Sequence, residues 1–393
     1  MGSSPSLTVP RRRPGSLASA SGLSFAILGS RGYPSTYGGY ETLVRYLAPY
    51  MLEAGHSVTV YCRDLPEHGE RVWWEDGVRC VATRGIETTQ LSTLSFGASA
   101  SAHAAFNRHD AVLILNIANG YWMPMLRAAR VPFAVNTDGL EWKRAKWSRL
   151  GKAVFRVGAS FSARLAPELV CDSRALGDIW QEQFGRRSTF IPYGGEVLED
   201  LGSERIRDLG LSKRGYLLSV ARLVPENNVE LTLDAIERLG TSAPMAVVVG
   251  SANFDNPIVE RLEALQDEGR VLWLGHVSDQ DLLHELWHNA AVYVHGHSVG
   301  GTNPALLQAL GAGAPTLALD TVFNREVLAT SDHLYAHDAD ALAGRITEVF
   351  GSRDTQRSLI EHGRSVVSKR YSWDDVCRDY TDLLVQLAHA RVA

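Results

Sequence analysis

Short apolar runs alternate with longer amphipathic ones along most of this chain. SFAILG (24–29), HSVTVYC (56–62), AVLILN (111–116), PFAVNT (132–137), ELVCDS (168–173) and STFIPY (188–193) are too short and too continuously apolar for surface helices. They read as strands buried on both faces. Runs with helical spacing, such as YETLVRYLAPYMLEAG (40–55), lie between several of them. After a charged, helix-like joint, EDLGSERIRDLGLSKRG, the alternation restarts. YLLSVA (216–221), MAVVVG (245–250), VLWLGH (271–276), AVYVHG (291–296) and PTLALD (315–320) are the strands there. VELTLDAIERL, PIVERLEALQ, SDQDLLHELW and NPALLQALG are the helices. The pattern predicts an α/β chain with two doubly wound, mainly parallel units, and ligands bind outside the carboxyl ends of such strands. The second unit is not a sequence repeat of the first. The final run, SWDDVCRDYTDLLVQLAHA, reads as a long amphipathic helix that packs back across the first unit.

Bulk properties narrow the class. The 393 residues allow two or three ordinary domains. A 45% apolar and 21% charged composition is that of a soluble globular protein, and a net charge of −5 gives no reason to expect nucleic acid as a partner. Cys62, Cys80, Cys171 and Cys377 form no CxxC pair. That spacing argues against a zinc site or disulfide framework and suits a reducing cytoplasm. No apolar run reaches the roughly 20 residues that span a bilayer. Residues 1–22 are rich in Ser, Pro, Gly and Arg and lack the apolar centre of a secretory signal, so they read as a disordered lead-in.

Candidate chemistry sits at three strand-to-helix loops. The first, GSRGYPSTYGGYET (29–42), carries Gly38 and Gly39 immediately before a helix. Glycines there allow positive φ or close approach of a ligand to free helix N–H groups. The spacing fits neither G-x-G-x-x-G nor a Walker loop. The second loop, ARLVPENN (221–228), offers Arg222 as a bidentate phosphate donor, with Asn227 and Asn228 as helix caps or ligand contacts. The third, HSVGGTNPALLQA (297–309), carries Gly300, Gly301, Thr302, Asn303 and, a turn into the helix, Gln308. No charge occurs from Ser298 through Leu319. Thr302 or Asn303 either caps this apolar helix or joins a ligand at its N-terminus. Together the three loops suggest a phosphate-containing ligand held between the units.

The basic segment 143–164 is a further candidate. It contains seven Lys and Arg residues and no acid. At about 100° per residue, Trp147, Leu150, Val154, Val157, Phe161 and Leu165 fall in one arc of roughly 80°, beside an arc with Lys146, Arg149, Lys152, Arg156 and Arg164. Either the apolar arc faces the core and the basic one faces solvent, or the helix lies on anionic lipid, peripheral on the inner face of the plasma membrane.

Five motifs in order, GSRGYPSTYGGYET, DGLEWKRAKW, RLVPENN, HSVGGTNPALLQA and FNRE, resemble those of family 4 glycosyltransferases with the GT-B fold, over roughly residues 23 to 375. The resemblance is strongest to the branch that contains dTDP-rhamnose-dependent rhamnosyltransferases of surface polysaccharide synthesis. It implies two Rossmann-like domains facing across a cleft. An acceptor-binding domain would span 23–197, a joint 198–213 and a nucleotide-sugar domain 214–370, with the C-terminal helix in 371–393. It implies retaining transfer of a sugar from a nucleotide diphosphate to a polysaccharide or polyprenyl-linked saccharide, without a metal or other cofactor.

By the same resemblance Gly38 and Gly39 lie near the donor phosphates and Arg222 binds the diphosphate. Asn227 stands where the family has a lysine. Gln308 and Gly300 stand at the two glutamates of its E-x7-E motif, so the sugar contact passes to backbone N–H groups, Thr302 or Asn303. Asp138 falls where relatives place a histidine beside the donor sugar; it either stabilises that sugar or caps the chain before LEWKRAKW. The departures leave a second reading open, a sugar-nucleotide-binding protein with little activity. A nucleotide-dependent oxidoreductase is disfavoured by the missing glycine fingerprint.

Overall fold

The computed structural model describes residues 22–34, 38–66, 69–88, 92–137, 139–143, 148–252 and 256–390. Most of the expected lead-in, Asp138, Arg144, Lys146 and Trp147 lie outside the described residues.

The first sheet contains β1 (Ser24–Leu28), β2 (Ser57–Cys62), β3 (Val72–Glu75), β4 (Val78–Ala82), β5 (Ala111–Leu115), β6 (Phe133–Asn136), β7 (Glu168–Cys171) and β8 (Thr189–Phe190). Their order is β3-β4-β2-β1-β5-β6-β7-β8. All neighbours are parallel except β3 and β4, an antiparallel hairpin that the sequence reading passed over. The signal was present: Asp76 and Gly77 both take positive φ at the turn, and a D-G pair favours that geometry. The second sheet is wholly parallel. It joins β9 (Tyr216–Val220), β10 (Met245–Val249), β11 (Val271–Trp273), β12 (Val292–His295), β13 (Thr316–Leu319) and β14 (Leu334–Tyr335) in the order β11-β10-β9-β12-β13-β14.

Helices on both faces explain the unbroken apolar strands. Along β1, Phe25 and Ile27 enter one core with Val44 and Leu47, whereas Ala26 and Leu28 enter the other with Phe133 and Trp180. Neither set meets water, so the period-2 alternation of a half-exposed sheet is missing. The C-terminal helix Trp373–Ala390 belongs to the first of these cores through Trp373, Val376, Tyr380 and Leu384. The chain therefore crosses between domains twice. The crossings run side by side: Gly195 N–H donates to the Tyr371 carbonyl at 2.6 Å, and Gly195 bridges Ser372.

One expectation is corrected. In the helix Arg149–Leu165 the buried side is Phe155, Gly158, Ala159 and Ser162, not the arc of large apolar residues. A Cβ at Gly120 would collide with the Gly158 carbonyl. Small residues on this side let the segment Ile117–Trp122 lie directly against the helix backbone, which turns Leu150, Val157 and Phe161 outward.

Candidate functional site

The first loop leaves the carboxyl end of β1. Gly38 is the N-cap of the helix Gly39–Glu53 at φ 113°, and no side chain caps that helix. Glu41, in its first turn, is buried and folds back to accept from the Arg31 N–H at 2.9 Å. A side chain on Gly38 would collide with that carboxylate. The loop is thus braced from behind, and among the described residues no side chain caps the helix start. A Cβ built on Gly39 would lie 3.6 Å from both the Pro304 ring and the Tyr193 ring. Pro304 opens the helix Pro304–Gly311 of the second domain, so two helix N-termini, one from each domain, meet at this seam.

The second and third loops are tied to each other. Ser298 donates from both its N–H (2.9 Å) and its hydroxyl (2.8 Å) to the Glu226 carbonyl. Asn228, in the left-handed region, donates from Nδ2 to the Gly296 carbonyl at 2.7 Å. Asn227 is buried and donates from Nδ2 to the Arg222 carbonyl at 2.9 Å, closing the turn whose Arg222 side chain is exposed. Neither Asn caps the helix Val229–Leu239 through its side chain; both hold loop backbone instead.

In the third loop each polar residue has its own place. Asn303 accepts from the Ala305 N–H at 3.0 Å and caps the helix. Thr302 is buried, and its hydroxyl donates to the carbonyl of Asp172 in the first domain. Gly300 has φ 133°, and a Cβ there would point into open space. Among the described residues, the N–H groups of Gly300 and Gly301 have no protein acceptor. Gln308 is half-buried one turn behind Pro304, and its side chain has no hydrogen-bond partner among the described residues. Gly38, Gly39, Gly300, Gly301, Thr302, Asn303 and Gln308 thus belong to two helix starts that face each other at the seam. Arg222 and Asn227 stand on the adjoining loop, and Asp138 lies outside the described residues.

Two parts of the site escaped the sequence reading. Below the third loop, His295 is fully buried and stacks on His297 with ring centroids 4.3 Å apart. Its Nδ1 pairs with the Tyr293 hydroxyl at 3.1 Å. Burial, helped by the neighbouring His297, pushes the His295 pKa well below the ordinary imidazole range, so His295 itself is neutral. The sequence signal was the pair of histidines two apart, one ending a strand that otherwise reads as core and one just beyond it. The second part is Glu326 of the motif FNRE. Its carboxylate accepts from the Ser173 hydroxyl (2.7 Å), the Arg174 N–H (2.8 Å) and the Ala175 N–H (3.1 Å), all in the first domain. The carboxylate sits at the positive start of the helix Arg174–Phe184 and clasps the two domains together.

The comparisons agree with this architecture. Residues 37–194 match a family model described as Glycosyltransferase Family 4, and residues 203–366 match one described as Glycosyl transferases group 1. Between them the two models take in most of the chain, which belongs to the GT-B glycosyltransferases. Solved structures share the fold at low identity. Sucrose-phosphate synthase from Thermosynechococcus elongatus aligns with a TM-score of 0.77 at 18% identity, covering 94% of this chain and 100% of that one. HepE from Anabaena, in complex with UDP and glucose, gives 0.72 at 17%, covering 93% and 100%. The catalytic domain of starch synthase IV from Arabidopsis thaliana, bound to ADP and acarbose, gives 0.70 at 13%, covering 94% and 100%. No curated protein sequence matches the chain.

Proposed function

We propose that the protein transfers a sugar, with retention of anomeric configuration, from a nucleotide diphosphate to a saccharide acceptor that is free or carried on a polyprenyl lipid. The observation that carries this reading is the meeting of the uncapped helix at Gly39 with the helix at Pro304, beside the open face of Gly300. Two sets of backbone N–H groups and two helix dipoles converge there, with Arg222 on the adjoining loop, an arrangement suited to a diphosphate leaving group. The UDP and ADP bound by the structural neighbours support a nucleotide-diphosphate donor. Rhamnose from dTDP-rhamnose is the donor favoured by the sequence resemblance.

In this reading the anomeric C–O bond to the diphosphate breaks as the acceptor hydroxyl oxygen bonds to the same face of the sugar. The acceptor proton passes to the departing phosphate oxygen. Arg222 and the N–H groups of Gly300 and Gly301 receive the charge developing on the diphosphate. Gly38 and Gly39 let the first-domain helix approach it, and Gln308 binds the ribose hydroxyls. By the sequence resemblance, Asp138 is assigned the stabilisation of the cationic sugar. No metal takes part.

A screen of dTDP-, UDP- and GDP-sugars by thermal shift, followed by turnover with a lipid-linked saccharide, tests the proposal. A donor should raise the melting temperature and be consumed. Arg222→Ala should weaken its binding by on the order of tenfold, the worth of one charge-assisted contact, and unchanged affinity would remove Arg222 from the site. A second reading, donor binding with little turnover, draws on the prior engagement of Thr302 and Asn303 by protein groups. Stabilisation by a donor that is never consumed would favour it.

A further inference from the structure

The helix Arg149–Leu165 presents an outer half that is itself amphipathic. Leu150 is 76% exposed, Val157 46% and Phe161 37%, and their spacing of seven and four residues makes one stripe down the helix. The Tyr121 ring leans on Phe161 with centroids 5.6 Å apart and widens the stripe. Arg149, Arg156 and Arg164 are exposed along one flank, with Lys152 partly so. Among the described residues none of these four cations has an acidic partner. The next helix, Met123–Ala128, packs against this one and adds an exposed Met125 together with Arg127, whose Nη1 binds the Leu165 carbonyl at 2.8 Å. The sequence between Lys143 and Leu165 contains no Asp or Glu.

We propose that this face rests on an anionic lipid bilayer, with the stripe Leu150–Val157–Phe161 among the acyl chains and the arginines at the headgroup phosphates. Large side chains turned outward beside unpaired cations are the pattern of an interfacial helix. A second copy of this chain is disfavoured as the occupant, because a two-fold contact here would set the unpaired arginines against one another. Among the described residues no helix is long and apolar enough to cross a membrane, so the contact is at the surface. The helix is the first α-helix after the carboxyl end of β6, and the first glycine loop leaves β1 at that same end of the sheet. A bilayer under this helix would therefore lie beside the seam, within reach of an acceptor held in the membrane. The lipid contact itself does not depend on the transfer reaction.

Flotation of the full chain with vesicles tests it, using phosphatidylcholine alone and phosphatidylcholine mixed with phosphatidylglycerol at low and high salt. The expected result is binding to the mixed vesicles only, weakening as salt rises. Phe161→Glu should abolish it. Arg156→Glu changes the local charge by two and should lower partition by roughly 25-fold, since each charge near an anionic surface contributes about fivefold. Both positions are exposed, so circular dichroism and melting temperature should match the parent, which separates loss of binding from loss of fold. Failure to bind anionic vesicles at low salt, or equal binding to both kinds, overturns the proposal. So does a parent dimer that Phe161→Glu dissociates, because that assigns the face to a second copy.

Discussion

Gly300 and Gly301 stand side by side, yet each position excludes a side chain for a different reason. Gly300 holds φ 133°, a backbone conformation that only glycine adopts without strain, and faces open space. Gly301 has room for its own backbone, but a Cβ there would collide with the Asp172 carboxylate across the seam. The sequence reading took both as places of ligand approach; the second is also where the domains touch. Elsewhere, single buried histidines set the response to acid. Burial pulls both His109 and His333 down to about 4 from the ordinary 6.5. The sign follows from proton binding: between those values the unfolded chain takes up protons that the native chain refuses. Their neutral forms therefore cost nothing above about pH 6.5, and stability is lost as pH falls toward 4. At about pH 5 each histidine should have cost about 2 kcal/mol. Chemical denaturation at both pH values checks this, and His333→Gln should flatten the slope.

Among the elements, those buried on all sides were the ones that could be read in advance. β5 and β12 are apolar at nearly every position because helices cover both faces, and no other element type needs such a short unbroken run. The helix Arg149–Leu165 was legible as a helix but not in its orientation, because hydrophobic periodicity assumes that bulk faces the core. Here Gly158, Ala159 and Ser162 face it, and close backbone approach replaces side-chain volume. Likewise the glycine loops and Arg222 stood out in the sequence with a role, whereas Glu326 stood out only as part of the motif FNRE, without one. Its role arises only when a helix of the other domain is brought to it, and nothing in its local sequence encodes that meeting. Removing the carboxylate leaves the Arg174 and Ala175 N–H groups without their partner. Glu326→Ala should weaken domain closure by on the order of 1–2 kcal/mol, the worth of a favourable charge at a helix start. Small-angle scattering should report a more extended chain, and limited proteolysis should cut faster near 195 and 371. An unchanged profile would mean that the clasp contributes nothing to closure.

At the level of the whole molecule, the first domain is not a contiguous stretch of chain, whereas the second is. The helix Trp373–Ala390 lies beyond the entire second domain in sequence but completes the core of the first. Its Tyr380 hydroxyl accepts from Asn136 Nδ2 at 2.6 Å, and the Asn136 Oδ1 in turn accepts from the Tyr40 hydroxyl at 3.2 Å. The C-terminal helix is thereby connected to the first turn of the helix that opens the seam. Truncation after residue 372 should uncover Leu47, Val44 and their neighbours and give a chain that binds a hydrophobic dye, loses cooperative melting and aggregates. A truncated chain that melts sharply would show that the first domain is self-sufficient.

The stacked Tyr46 and Trp373 rings, 4.4 Å apart, join residues separated by nearly the whole length of the polypeptide. A ribosome delivers Trp373 only after every strand of the second sheet has emerged. Until then the amino-terminal half must wait with one flank bare, dependent on chaperones or on its own slow collapse. A premature stop codon late in the message would therefore spoil the half that was translated first.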